Sequence, residues 1–217
     1  MLETQIQDMM AGFGVTDIGF AKPEDGPLPY AVSLVVKLSD AVVEEITDAP
    51  THSYFHHYRT VNAFLDQAML RLGLFLEQQG HHYLPVGASQ SINTPGKYYE
   101  GRYSHKKVAC LAGLGTIGRN DLFLHKQYGP RVRLGTVFTD CVLESPSFLQ
   151  FDPCANCGRC IAACPSGAIK GGVFSPETGR DALLDPKLCS NFMKERFRDI
   201  GRGAVCGICM AVCPVGK

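Results

Sequence analysis

The chain has 217 residues, enough for one large domain or two small ones with a real core. Its 21 lysines and arginines balance 21 aspartates and glutamates, and a neutral chain carries no electrostatic bias toward nucleic acid or an anionic membrane. No apolar run is long enough to span a bilayer, and the start, MLETQIQDMM, lacks the basic residues of a secretory signal, so a cytoplasmic location without a membrane partner is expected.

Residues 2–12 place Leu2, Ile6, Met9 and Met10 at amphipathic helical spacing. Residues 15–21 and 31–38 read as strands joined by the loop KPEDGPLP. The longest helical signal covers 51–80, with Phe64, Leu65, Ala68, Leu72, Phe75 and Leu76 on one stripe. Thr51 and Ser53 are its candidate caps and Gly80 its stop. HHYLPVGA reads as a strand, and the long polar and aromatic loop SQSINTPGKYYEGRYSHKK follows it. Loops of that length inside a compact domain are often functional. Ser104 is placed to cap a short helix that carries Val108, Ala109, Leu111 and Ala112.

AGLGTIGRN, 112–120, then spells G-x-G-x-x-G at Gly113, Gly115 and Gly118. A dinucleotide fingerprint needs a strand before it, a helix opening on its last glycine and an acid about 20 residues further on. Here a helix precedes it, and the following stretch reads as a hairpin broken at Gly129-Pro130; only Asp140 fits. The glycines therefore signal a tight turn or close backbone approach, not a pyrophosphate site. The linker-like LESPSFLQFDP marks a domain boundary near 145–150.

Ten cysteines in a chain with no export signal call for metal or redox chemistry. Cys110 and Cys141 stand apart and read as small buried apolar residues. The other eight lie between Cys154 and Cys213. Cys154, Cys157, Cys160 and Cys164 spell C-x2-C-x2-C-x3-C-P, the run of bacterial ferredoxins; Cys189, Cys206, Cys209 and Cys213 form a second set ending in C-P. Thiolates two residues apart on a tight loop reach neighbouring irons of one cubane, and the fourth cysteine of such a run ligates the other cluster. The eight then divide into Cys154, Cys157, Cys160 and Cys213 for one 4Fe-4S cluster, and Cys164, Cys189, Cys206 and Cys209 for a second. Structural zinc is the alternative for paired C-x-x-C knuckles, but the x3-C-P tail followed by PSGAI favours ferredoxin chemistry. Two such clusters move single electrons, and the 150 residues upstream imply a second centre for them to feed.

AGLGTIGRNDLFL, GPRVRLGTVFTD, CGRCIAACPSGAI, LDPKLC and CGICMAVCP, in that order, resemble the epoxyqueuosine reductase family, which is related to the reductive dehalogenases. The resemblance implies an α+β chain. A nitroreductase-like α/β cobalamin-binding domain over 1–147 would precede a ferredoxin-like domain with two 4Fe-4S clusters over 148–217. It implies corrin contacts from Gly115, Gly118, Arg119 and Asn120, with His57 and Arg59 from YFHHYR. The chain departs from the family at three points. It ends at Lys217, where tRNA-reducing members carry a helical-repeat domain; Asn93 stands where they have a proton-donating aspartate; and Thr116 replaces the tryptophan of the glycine loop. With zero net charge, these argue for a small-molecule substrate and against tRNA.

Reductive dehalogenases use a tyrosine near the cobalt, assisted by a basic residue. The loop offers Tyr98, Tyr99 and Tyr103, beside Arg102, His105 and Lys106, as candidate proton donors; the plain alternative is that they pack the loop. His52 and His56, at i and i+4, lack a third ligand and read as surface residues. The expected function is electron transfer from two clusters to a bound corrinoid for reductive chemistry, fed by a low-potential donor such as a ferredoxin or flavodoxin. The rival functions are a corrinoid-activating protein without its own substrate, which would dock a corrinoid protein, and an FMN-dependent reductase.

Overall fold

The computed structural model describes residues 2–96, 98–145, 152–175 and 179–217. In chain order its elements begin with α1 (Leu2–Phe13), β1 (Asp17–Ala21), β2 (Tyr30–Lys37), α2 (Asp40–Glu44), α3 (His52–Gln78) and β3 (Tyr83–Val86). There follow α4 (His105–Leu111), β4 (Gly115–Ile117), β5 (Phe123–His125), β6 (Val132–Thr139), α5 (Arg159–Ala163), α6 (Pro186–Arg196) and α7 (Ile208–Ala211). The chain divides into two compact units. The first comprises Met1–Lys37, Thr60–Gly115 and Arg133–Gln150; the second comprises Leu38–Arg59, Thr116–Val132 and Phe151–Lys217. The expected boundary at 147/148 lies outside the described residues.

A four-stranded sheet, in the order β1-β2-β6-β3, organises the first unit. β1 runs antiparallel to β2, with Asp17 opposite Val35 and Ala21 opposite Ala31; β3 runs antiparallel to β6, with Tyr83 opposite Thr139. The sequence explains the order. Ala31 to Val36 are all buried, and all but Ser33 are apolar, as in a strand covered on both faces. β6 is buried almost throughout and takes the other central place.

The Thr51 hydroxyl accepts from the Tyr54 amide at 3.0 Å and caps α3; Gly80, at φ +84°, ends it. Leu65, Ala68, Met69, Leu72 and Leu76 form the buried stripe of α3. The Thr136 amide of β6 donates to the Met69 sulfur at 3.1 Å, so helix and sheet meet at Gly135 and Thr136. Ser104 caps α4, accepting from the Lys107 amide at 3.3 Å, and Ala112 beyond it closes on Gly19 of β1, where a Cβ would lie 2.8 Å away.

One expectation is overturned. The hairpin across Gly129-Pro130 does not form; β5 pairs with β4, and β6 enters the four-stranded sheet. The turn is one step earlier, with the Gly118 amide donating to the Leu122 carbonyl at 2.9 Å and Asp121 at φ +59°. The physical reason lies in β6. Its run VRLGTVFT is buried on both faces, which suits a central strand and not one arm of a half-exposed hairpin.

His105, the first residue of α4, ties that helix to the sheet. Its Nε2 donates to the Gly87 carbonyl at 3.1 Å, which leaves Nδ1, 2.8 Å from the Thr136 hydroxyl, as acceptor in the neutral ring. Burial pushes its pKa below 6.5, against the opposing pull of the Gly87 carbonyl. A depressed folded-state pKa means the stabilisation is complete above 6.5 and is lost as pH falls toward the folded value. Urea unfolding of the anaerobic, cluster-loaded protein should show stability declining below that pH. In His105→Gln this component should be absent, with a loss of about 1–3 kcal/mol at neutral pH.

Candidate metal centre

The second unit builds loops around thiols. The Cys154 amide donates to Asp152 Oδ1 at 3.1 Å and the Cys157 amide to the Cys154 carbonyl at 3.1 Å; Asn156 turns the chain at φ +57°. α5 follows, carrying Cys160. It ends at Cys164, which is extended at φ −71°, ψ 109°, because Pro165 disfavours a helical residue before it. Asp185 caps α6, accepting from the Leu188 amide at 2.9 Å, with Pro186 in its first turn and Cys189 just behind. Gly207, at φ +83°, leads into α7, which carries Cys209.

The sequence assigns the eight cysteines to two groups, and the structure brings four of them to one cavity. Cys154, Cys157, Cys160 and Cys213 line one cavity, together with Arg119 and Asn120. Burial pushes the thiol of Cys160 up, and Cys154, Cys213 and Cys157 push it further. In the other group, burial pushes Cys189 up to about 11, with Cys206, Cys164 and Asp185 adding to it. Burial also raises Cys209, followed by Cys206, Cys189, Cys164 and, from the first group, Cys160. Cys164 differs. Burial pushes it up, but the Ser166 hydroxyl at 3.3 Å and the amides of Ile169, Ala168 and Ser166 together bring it below the ordinary thiol value.

Four crowded, half-buried thiols do not all ionise unaided; a cationic core would supply the missing charge. This donor set fits an iron–sulfur cluster.

The glycine loop belongs to this unit from Thr116 onward. The Arg119 main-chain amide donates to the Cys154 sulfur, and Asn120 Nδ2 donates to the Cys209 carbonyl at 3.3 Å. A Cβ on Gly118 would lie 2.8 Å from Leu124 and 3.0 Å from Asn120 Oδ1, so the last glycine serves close packing. Gly113, at φ +70°, follows the end of α4, and Gly115 opens β4.

The remaining candidates have the following places. His57 Nε2 accepts from the Ser39 amide, 3.0 Å away, at the start of α2; burial lowers its pKa and His56 lowers it further. The Arg59 guanidinium lies 5.6 Å from the Phe55 ring centre. Asn93 Oδ1 accepts weakly from the Tyr99 amide at 3.4 Å. Tyr98 and Tyr99 are exposed, whereas the half-buried Tyr103 packs edge-on against Phe138 at 5.0 Å, under Arg102 at 5.2 Å. His52 and His56 are not buried. Cys110 and Cys141 are buried, and burial pushes Cys110 up to about 12. Sequence reasoning passed over Arg131, which is only 2% exposed, and the contact of the C-terminal tail with residues 128–129.

Residues 153–216 match the 4Fe-4S double cluster binding domain. The tetrachloroethene reductive dehalogenase of Desulfitobacterium hafniense is 27% identical over 235 aligned residues, covering 100% of this chain and 39% of the relative. The epoxyqueuosine reductase of Listeria monocytogenes is 30% identical over 126 residues, covering 54% of this chain and 31% of the relative. The chain thus spans well under half the length of both relatives. A reductive dehalogenase whose structure suggests a mechanism for B12-dependent dehalogenation shares the fold, with a TM-score of 0.78 at 18% identity, over 98% of this chain and 31% of that one. An epoxyqueuosine reductase solved with an epoxyqueuosine-modified tRNA-Tyr stem loop has a TM-score of 0.68 at 19% identity, over 100% of this chain and 65% of that one.

Proposed function

From a chain whose homologues include both reductive dehalogenases and epoxyqueuosine reductases, we propose an iron–sulfur oxidoreductase that passes electrons to a corrinoid for reductive chemistry on a small substrate. The observation that carries it is the cavity lined by Cys154, Cys157, Cys160 and Cys213 together with Arg119 and Asn120. Cys154, Cys157, Cys160 and Cys213 hold the first cluster; Cys164, Cys189, Cys206 and Cys209 hold the second. The nitroreductase-like domain, 1–147, takes the corrinoid, a reading supported by the B12-dependent reaction named for a protein of the same fold. Bound cobalamin would supply a low-valent cobalt for reductive bond cleavage.

This chain's own residues do the rest. Arg119 and Asn120 stand beside the first cysteine group, so a cofactor resting on that loop receives electrons over a short path. Gly115 and Gly118 keep the loop backbone bare, and His57 and Arg59 serve as the weaker contacts. Tyr98 and Tyr99, exposed on their loop, are better placed to deliver a proton than Tyr103, whose ring is packed. Zero net charge favours a small substrate over tRNA, the ligand of one protein of this fold.

The test is anaerobic reconstitution with iron and sulfide, addition of hydroxocobalamin, removal of the excess, and visible and electron paramagnetic resonance spectra during reduction. About eight irons per chain and a stoichiometric base-off corrinoid signal are expected. Two clusters without retained corrin would overturn the corrinoid reading; a yellow chromophore surviving cluster removal would replace it with FMN.

A further inference from the structure

Residues 186–204, α6 and the turn after it, carry five cations against two anions: Lys187, Lys194, Arg196, Arg198 and Arg202, with Glu195 and Asp199. The whole chain is neutral, so this is a local excess of positive charge. All five cations are exposed, and among the described residues none of them forms an ion pair. Lys187 and Lys194, seven residues apart, lie on one face of α6. Phe192 and Phe197, whose rings meet edge-on at 5.6 Å, are half-buried.

Two features set this face apart from an ordinary solvated helix. A helix dipole favours cations in the last turn, which accounts for Lys194 and Arg196, but disfavours one in the first turn, where Lys187 stands. Arg202, at φ +59°, holds a left-handed conformation that is costly for any residue with a Cβ. It stands between Gly201 at φ +58° and Gly203 at φ +72°. A Cβ on Gly203 would lie 2.5 Å from the Met193 carbonyl oxygen and 2.6 Å from Lys194 Cα, so the turn is pressed against the end of α6. A glycine at 202 would relieve the strain, and the cation is kept instead; strain retained in this way marks functional positions.

We infer that this basic face docks an acidic ferredoxin, and that electrons enter the protein at the cluster held by Cys189 and Cys206. The inference rests on the cluster assignment proposed above and not on the corrinoid. The chain itself ties the face to those cysteines. Cys189 lies on α6 between Lys187 and Lys194, next to Leu188, which is 45% exposed, and Cys206 follows Arg202 by four residues. The reduced cluster of the ferredoxin loses one electron, the cluster of this chain gains it, and no proton moves. Redox partners meet over small, transient interfaces, where opposite charge sets the encounter rate and the orientation. One exposed leucine ringed by unpaired cations suits such a contact.

The experiment uses the full chain, loaded anaerobically with both clusters, and iron is counted first. If the unaltered protein fails to hold about eight irons, the cluster assignment fails, and this inference with it. Binding of an oxidised acidic ferredoxin is then measured by surface plasmon resonance, and cluster reduction by the same ferredoxin, reduced, by stopped flow. Affinity should fall about tenfold or more in K187E/K194E/R198E, and added salt should weaken binding to the unaltered protein in the same sense. Reduced methyl viologen, a small cation, should still reduce each variant fully, which shows that its clusters are intact. R202G relaxes the turn, so it should keep its thermal stability while being reduced more slowly by the ferredoxin. With both clusters loaded, binding and reduction unchanged in both variants would overturn the inference and leave the cluster assignment standing. Should the triple variant fail to load, an unchanged rate in R202G would do so. Charge reversal that weakened binding of an RNA stem loop, and not of ferredoxin, would overturn it as well.

Discussion

The double variant C154A/C213A should keep about four irons and one clean cluster signal, whereas C206A/C213A should keep neither cluster intact. Cys213 follows Cys209 by four residues, so chain order alone would assign it to the group of Cys206 and Cys209. The structure places it instead in the cavity of Cys154, Cys157 and Cys160. The cause is local. α7 is a single turn from Ile208 to Ala211, and Cys213 lies beyond its end, before Pro214. Cys164 is the mirror case, set beyond the end of α5 before Pro165. Two cysteines lost from one cluster leave it two ligands short and the other whole. Two lost from different clusters damage both. Iron analysis with spectra of the reduced proteins reads the difference directly. The reverse pattern, with C206A/C213A keeping one clean cluster, would restore the sequential grouping.

How much of this was legible in the chain depends on range. α3 and β2 show in the sequence because their periodicity is set by neighbours three, four or two residues away. The crossed cysteine grouping is an expectation of the sequence, because the fourth cysteine of a C-x2-C-x2-C-x3-C-P run ligates the other cluster. The hairpin was misplaced because an apolar run such as that of β6 does not say which strand will pair with it. Arg131 gave no signal at all. In RVRLGTVF it looks like the polar half of an alternating strand, and only the approach of the distant Gly216 marks it as buried. The tyrosines of the 98–103 loop were legible as candidates, yet only the structure separates the packed ring of Tyr103 from the exposed Tyr98.

Gly216→Ala should release the first cluster while leaving the second in place. Gly129, at φ +54°, and Gly216, at φ +79°, press two stretches of backbone together. A Cβ on Gly216 would fall well inside van der Waals contact of the Tyr128 carbonyl group, and one on Gly129 inside that of the Val215 carbonyl group. The turn has little freedom to yield. His125 is fully buried, its Nδ1 accepts from the amides of Gln127 and Tyr128 at 3.2 and 3.3 Å, and its ring stacks on Tyr128 at 4.9 Å. The tail must therefore move, and it carries Cys213 three residues away. Alanine in the left-handed region costs about 1–2 kcal/mol, and a backbone clash adds about 1–3 kcal/mol. Undocking the last few residues relieves both at less cost than global unfolding. Gly80→Ala is the control: φ is +84° there, but nothing lies within 4 Å of its Cβ, so it bears the conformational cost without the clash. Gly80→Ala should retain about eight irons, and Gly216→Ala should fall toward about four with unchanged circular dichroism. A Gly216→Ala protein that held both clusters would show that the tail does not position Cys213.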